Sequence, residues 1–365
     1  GNYSISDEGS FNQSITGFVK FVGTDQSITN GQFNRVRFSN SGEKTLNGSF
    51  SATYNNSTRT NRTIIVEDNA TLVATCALTI RGNVLIDENA KFDDGGKTHT
   101  FTGYYWEDAG THLGNGMVDF IGNHVQYIYG GSFHNLHMEK STKYISGDVT
   151  LTGDLSMDAC SLDMLINNIT GPNMGTEGTF TMGEKTYIYA RGADNYPRFG
   201  YYNVSPTSYS YYSGAIDQTI REANYGFLYL NSNTKKTLEG DINVTKNLVF
   251  NENGGTLDAN NKNIFLGGYW YNQYNGTFIP RTGRVIFNGT GTQYIYIGVS
   301  VENPFYDVEV NKTVGQTLTP SGTNLDIRNT LTVVSGKMSC PAGYKVFVGG
   351  DIQVSTDGTI ANSGC

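Results

Sequence analysis

The sequence predicts an all-β chain wound as a β-solenoid of four degenerate long repeats. Three observations carry that expectation: one motif recurs four times, strand signals run on without an intervening helix, and no linker separates the copies. In the motif, an apolar alternation leads into Gln and Ile, and a Phe or Tyr then opens a second alternation. The copies read FVKFVGTDQSI with FNRVRF, MVDFIGNHVQYI with FHNLHM, SGAIDQTI with YGFLYL, and VIFNGTGTQYI with FYDVEV. Gln26, Gln126, Gln218 and Gln293 are 100, 92 and 75 residues apart. Such self-similarity marks units that bury their apolar edges by stacking on one another.

Along the chain, period-2 pairs place apolar groups on one side of successive strands: Val19 and Phe21, Val118 and Phe120, Val149 and Leu151, Leu155 and Met157, Ile242 and Val244, Leu248 and Phe250, Val285 and Phe287. Between them stand NG, DG, GG, SG and DN pairs, which favour turns with positive φ. The most polar stretch, NSNTKKTLEGD, is interrupted by Gly240 and reads as a loop. Without helices, folds whose parallel strands need helical crossovers are excluded. A string of separate β-sandwiches is disfavoured, because a fixed strand count tolerates poorly a unit that drifts from 100 to 75 residues, whereas a stack gains or loses a coil. Tyr3, Trp106 and Trp270 stand 23, 20 and 23 residues ahead of their glutamines, as stacked side chains should. A coil of roughly 24 residues fits these intervals. The expected organisation is one continuous solenoid over 1–365, with units at about 1–102, 103–185, 186–266 and 267–349, and 350–365 opening the next. Both termini read as falling inside a repeat, so the chain is expected to be an internal segment of a longer polypeptide whose neighbouring repeats are its first partners.

Composition narrows the function. Forty-five glycines against 7 prolines, 37% hydrophobic, 12% aromatic and only 16% charged residues describe a surface of Asn, Thr, Ser, Gln and Tyr, the profile of an extracellular β protein. A net charge of −8 gives no basic stripe for nucleic acid or an anionic membrane surface, and no run of 18 apolar residues could be inserted in a bilayer.

The stretch GGYWYNQYNGTFIPRTGRVIFNGTGTQYIYIG, continued by FYDVEVNKTVGQTL and LDIRNTLTVVSGKMSCPAGYKVFVGG, resembles the repeats of very long secreted surface proteins of Bacteroidota. In that family a unit G-x-W, G-T-F, G-x-V-x-F-x-G, Q-x-I, F-x-N-L-x-I is followed by L-x-V-x-G-x-L-x-L-x-S-G. The fourth copy matches nearly throughout, the second well and the first over Gly1 to Leu46, while 166–212 replaces G-x-W and G-T-F with a Tyr-rich insertion. The resemblance implies a right-handed parallel β-helix at the cell surface, serving adhesion or acting as a stalk.

Catalytic motifs are not found: G-x-S-x-G, H-E-x-x-H, the P-loop and G-x-G-x-x-G are all missing. A β-helix lyase would need clustered carboxylates with a basic residue, and a hydrolase close paired carboxylates. The one adjacent Asp pair, Asp93-Asp94, precedes Gly95-Gly96 and reads as a turn, with a weak Ca²⁺ site at Asp87, Glu88, Asp93 and Asp94 as the lesser reading; no other cofactor is expected. His134 and His137, three apart on a strand, face opposite sides and do not suit a shared metal, and His99, His112 and His124 read as ordinary residues. Cys76, Cys160, Cys340 and Cys365 show no metal spacing; Cys340 and Cys365, 25 apart, would suit a disulfide between adjacent coils. Asn-x-Ser/Thr sequons are abundant, those at Asn61, Asn168, Asn243, Asn275, Asn288 and Asn311 among them, and in so Asn- and Thr-rich a chain most follow from composition. The candidate contact surface for a glycan or a protein is the insertion, with Tyr187, Tyr189, Arg191, Tyr196, Arg198, Tyr201, Tyr202, Tyr209, Tyr211 and Tyr212; the alternative is that the rings merely pack a long loop onto the solenoid. The expected function is a non-catalytic structural and adhesive segment, the alternatives being a carbohydrate-active β-helix enzyme and a glycan-binding module.

Overall fold

A computed structural model describes residues 3–4, 17–172, 178–251, 255–272, 274, 276–298 and 303–362. No helix forms among them; parallel strands stack as a β-solenoid of about 16 turns. The parallel pairing excludes a string of antiparallel sandwiches. Two compact units are present, Gly1–Thr186 with Pro197–Asn203, and Tyr187–Tyr196 with Val204–Cys365.

In the first unit one ladder runs Val19–Phe21, Val36–Phe38, Arg62–Val66, Asn83–Ile86, Tyr105–Asp108, Gln126–Phe133, Thr142–Leu151. A second joins Thr98–Phe101, Met117–Phe120, Asn135–Glu139, Leu155–Asp158 and Thr179–Met182. In the second unit Tyr187–Ala190, Tyr209–Tyr212, Phe227–Leu230, Leu248–Phe250, Trp270–Asn272, Gln293–Ile297 and Thr317–Ser321 pair in that order. Alternation along each strand decides which side chains are buried, as in Asn135–Glu139, where Leu136 and Met138 are inside and His137 is not. Asn243 and Phe265 likewise point away from the core that holds Val244 and Leu266. The stretch NSNTKKTLEGD departs from the loop expectation: Lys235–Leu238 is a strand, because Lys236 and Leu238 alternate inward as the flanking strands do.

Register explains the aromatic offsets. Trp106 pairs with Ile128 and Trp270 with Ile295, and on the backbone Tyr3 pairs with Ile28, each partner two residues beyond its glutamine. Trp106 lies edge-on to Phe101 at 5.5 Å, and Trp270 to Phe278 at 4.7 Å and Phe305 at 5.0 Å, both indoles fully buried.

The repeated glutamine is a staple between coils. Its Oε1 accepts the backbone N–H of a glycine three or four residues earlier: Gly23 at 2.8 Å, Gly122 at 3.2 Å, Gly214 at 2.9 Å and Gly289 at 2.9 Å. Its Nε2 donates to carbonyls of the preceding coil, from Gln126 to Gly103 at 2.9 Å, from Gln218 to Ala190 at 3.0 Å and Gly192 at 2.9 Å, and from Gln293 to Leu266 at 2.8 Å and Gly268. Glycine is required at the turn, since a Cβ on Gly23, Gly122, Gly214 or Gly289 would come within 2.8 to 2.9 Å of the carboxamide.

A buried lysine then closes each corner. Lys44, Lys143 and Lys236 pair in register with Gln26, Gln126 and Gln218. Their ammonium groups donate to oxygens of the turn, Lys44 to the carbonyls of Asn40 at 2.9 Å and Ser41 at 3.0 Å, Lys143 to the Glu139 carbonyl at 2.8 Å, and Lys236 to the Ser232 hydroxyl at 2.9 Å and the Ser232 carbonyl at 3.4 Å. Over Gln293 the register position is Leu318, and the ammonium comes instead from Lys312, which reaches Gly289 O at 2.9 Å and the Gln293 carboxamide. Burial pushes Lys143, Lys236 and Lys312 down to about 8, which leaves each protonated at neutral pH.

Candidate functional site

The Tyr-rich segment forms regular coils whose outward residues make two columns of rings. Tyr187, Tyr209 and Phe227 stack at 4.9 and 4.7 Å with interplanar angles of 9° and 5°; Tyr189, Tyr211 and Tyr229 stack beside them at 4.8 and 4.7 Å. Parallel pairing imposes this, because identical positions recur one coil spacing apart. Between successive rungs the ring faces are consumed by the stack, so along their length the columns present edges and hydroxyls outward. Burial, with neighbouring tyrosines adding, pushes the Tyr211 hydroxyl above its ordinary range.

The other candidate residues are dispersed. Tyr196 and Tyr212 are sealed in the core and offer no surface to a ligand: Tyr196 OH meets Ser210 Oγ at 3.1 Å, and Tyr212 OH meets Tyr225 OH at 3.0 Å. Tyr196 lies 22 residues ahead of Gln218, and Gln218 binds the Gly192 carbonyl as Gln126 and Gln293 bind Gly103 and Gly268. It is the large buried aromatic closest to the place that Trp106 and Trp270 take in their copies, a role that the sequence reading assigned to no residue. Tyr202 OH donates to Pro197 O at 2.9 Å and accepts Phe199 N–H at 3.1 Å, closing its own loop. Tyr201 is exposed, Arg191 lies 6.0 Å over the Tyr189 ring, and the Arg198 backbone bridges to Thr170. Arg198, Tyr201 and Tyr202 belong to the first unit and the remaining seven to the second.

The constellation closest to catalytic form is enclosed. Asp94 accepts the N–H groups of Gly96 at 2.8 Å and Gly116 at 2.9 Å and meets His112 Nε2 at 3.2 Å, with side chains 1% and 2% exposed. Burial alone would raise the Asp94 carboxyl, but His112 and the two amides outweigh it and hold it below the ordinary value. Leu78 N–H donates to His99 Nδ1 at 3.1 Å, so His99 Nε2 carries the proton and gives it to the Asp94 carbonyl at 2.9 Å; burial lowers its pKa. Phe92 and Phe133 pack His112 at 4.9 and 5.3 Å. These groups orient turns and have no approach for a substrate.

Asp93 Oδ1 accepts Gly95 N–H at 2.9 Å and Asp87 Oδ1 accepts Glu88 N–H at 3.0 Å, so these carboxylates form turns. Among the described residues no three His, Cys, Asp or Glu side chains gather as metal ligands. His134 and His137 bind different coil neighbours, Thr152 Oγ1 at 2.9 Å and Ser156 Oγ at 2.8 Å. Cys340 is disulfide-bonded, whereas Cys365 lies outside the described residues. Cys76 and Cys160 are free thiols, and burial pushes Cys160 up to about 12.

Asp108 is the strained member of the first unit. Burial raises its carboxyl to about 6, opposed by His112, the Gly110 N–H at 3.1 Å and the nearby Trp106 indole; neither Oδ2 nor the indole N–H has a hydrogen-bond partner. The folded value exceeds the ordinary 3.8, so the stabilisation this group gives is complete below pH 3.8 and is lost as pH rises through about 6. Asp108→Asn is expected to flatten that limb and stabilise the unit by about 2 kcal/mol at pH 7, read from denaturation midpoints at pH 4 and pH 7. An unchanged pH profile would refute the assignment.

Compared with known proteins, the chain matches no family model, no curated protein and no solved structure.

Proposed function

We propose that the chain is a non-catalytic structural segment of an extracellular or cell-surface protein, a stiff spacer whose outward tyrosine columns offer contact surface. The observation that carries this reading is the fate of the one motif repeated four times. Its glutamines are turned inward and spent on joining coil to coil, with glycines and buried lysines closing the turns beside them, as a load-transmitting stack requires. The enclosed Asp94 and His112 side chains weigh against the carbohydrate-active alternative. The low-charge surface and the resemblance to Bacteroidota surface repeats support the location and adhesive use.

The test pairs force with chemistry. Pulled from its ends, the chain is expected to resist and then yield in coil-sized steps, and incubation with pectin, alginate, xylan and chondroitin sulfate should release no new ends. Smooth low-force extension would reject the spacer, and turnover of any of these polymers would reject the non-catalytic reading.

A further inference from the structure

The first column of stacked rings in the second unit has a missing rung. Register carries it from Tyr187 to Tyr209 to Phe227, then to Asn247, then to Tyr269 and Tyr294. Tyr209 covers one face of Phe227 at 4.7 Å; among the described residues no ring covers the other, because Asn247 occupies the next position. The Asn247 carboxamide is drawn onto the backbone, where Oδ1 accepts Tyr269 N–H at 2.9 Å. Phe227 and Tyr269 are therefore two coil steps apart, about 9.6 Å, which leaves room for one flat ring at the ladder's own spacing. Tyr269 stands edge-on to Tyr294, at 82°, and so bounds the gap without continuing the stack.

This gap opens into a groove of about 590 Å³ along the bends of three coils. Its floor is Gly267-Gly268, where Cβ atoms would lie 2.4 Å from the carbonyl group of Thr245 or Lys246. Asn243, Asn247, Asn288, Thr290 and Thr292 give its walls amide and hydroxyl groups, and among the described residues Lys246 is the one charged side chain lining it and no carboxylate does. An open aromatic face, amides and hydroxyls at its margin, and a lone cation are the chemistry that recognises a sugar ring: C–H groups pack on the π face while hydroxyls are hydrogen-bonded.

We infer that the groove between Phe227 and Tyr269 binds a pyranose oligosaccharide, one sugar ring filling the missing rung on the open face of Phe227. Lys246 favours a carboxylated sugar within that class, and the absence of a lining carboxylate makes the site one of binding and not of cleavage. This goes beyond the spacer reading and stands or falls separately from it.

The experiment is isothermal titration of the full chain with oligogalacturonate, cellohexaose, chitohexaose and maltohexaose. At least one is expected to bind with a Kd below about 1 mM. Asn247→Tyr completes the column and fills the gap: affinity should fall at least about tenfold while the melting temperature holds or rises. Thr290→Trp, at an exposed wall position, is the second block should the first variant disturb the coil. Lys246→Ala should weaken oligogalacturonate alone, separating acidic from neutral ligands. Failure of all four saccharides to bind, or binding that survives both blocking variants in folded protein, would overturn the inference while leaving the spacer reading untouched.

Discussion

Gln218→Leu will loosen the chain on both sides of one corner, at a cost of about 3 kcal/mol. The leucine fills much of the same space but leaves the Gly214 N–H and the Ala190 and Gly192 carbonyls without their side-chain partner in a buried setting. Each orphaned group costs about 1–3 kcal/mol, and partial relaxation keeps the total below the sum. Native-state hydrogen exchange is the appropriate readout, because a stack of coils need not unfold in one step. Faster exchange should centre on the Gly214 amide and the strands Tyr187–Ala190 and Gln218–Ile220. Gln218→Glu keeps the acceptor for Gly214 but loses both donated bonds, so it should exchange faster still at pH 7, where a buried carboxylate would face two carbonyls. Protection unchanged in both variants would show that the glutamine is not a staple.

Tyr196→Ala should be comparably damaging, at about 3–5 kcal/mol. The ring is 1% exposed and packs against Tyr212 at 5.8 Å and Tyr225 at 5.4 Å. A contact residue on an outer loop would cost almost nothing, so the same variant separates the two roles. Tyr196→Phe keeps the ring, removes the bond to Ser210 Oγ and should cost about 1 kcal/mol. If Tyr196 stands where Trp106 and Trp270 stand, Tyr196→Trp will be better tolerated than Tyr196→Ala despite its bulk. Thermal melts of the three variants, ranked Phe, Trp, Ala from most to least stable, check this; indifference to alanine would return the residue to the surface.

The architecture was legible because two signals coincide. Period-2 alternation gives strands whichever way they pair, and the fourfold recurrence of the glutamine-centred motif shows that the strands belong to a stack. What escaped was the identity of the inward polar groups. Lys44, Lys143 and Lys236 gave no signal, since a lysine is seldom buried and its carbonyl partners are invisible in a sequence. The strand Lys235–Leu238 was lost for the same reason, its inward lysine breaking an apolar pattern. The tyrosines misled in the opposite way. Their density suggested a loop with open faces, whereas equal spacing from coil to coil sets Tyr187 over Tyr209 and Tyr189 over Tyr211 and hides those faces. Phe227 and Asn247, which bound the groove, carry no sequence signal by themselves; only register reveals that one interrupts the other's column.

Lys312 shows how such a chain can drift. Its ammonium reaches the corner over Gln293 from six positions ahead of Leu318, the residue that pairs there. Winding brings distant positions to the same edge, so the cation can pass from one position to another between copies without the corner losing its plug. Whole turns can then be added or dropped between plugs, and copies of unequal length remain mechanically interchangeable.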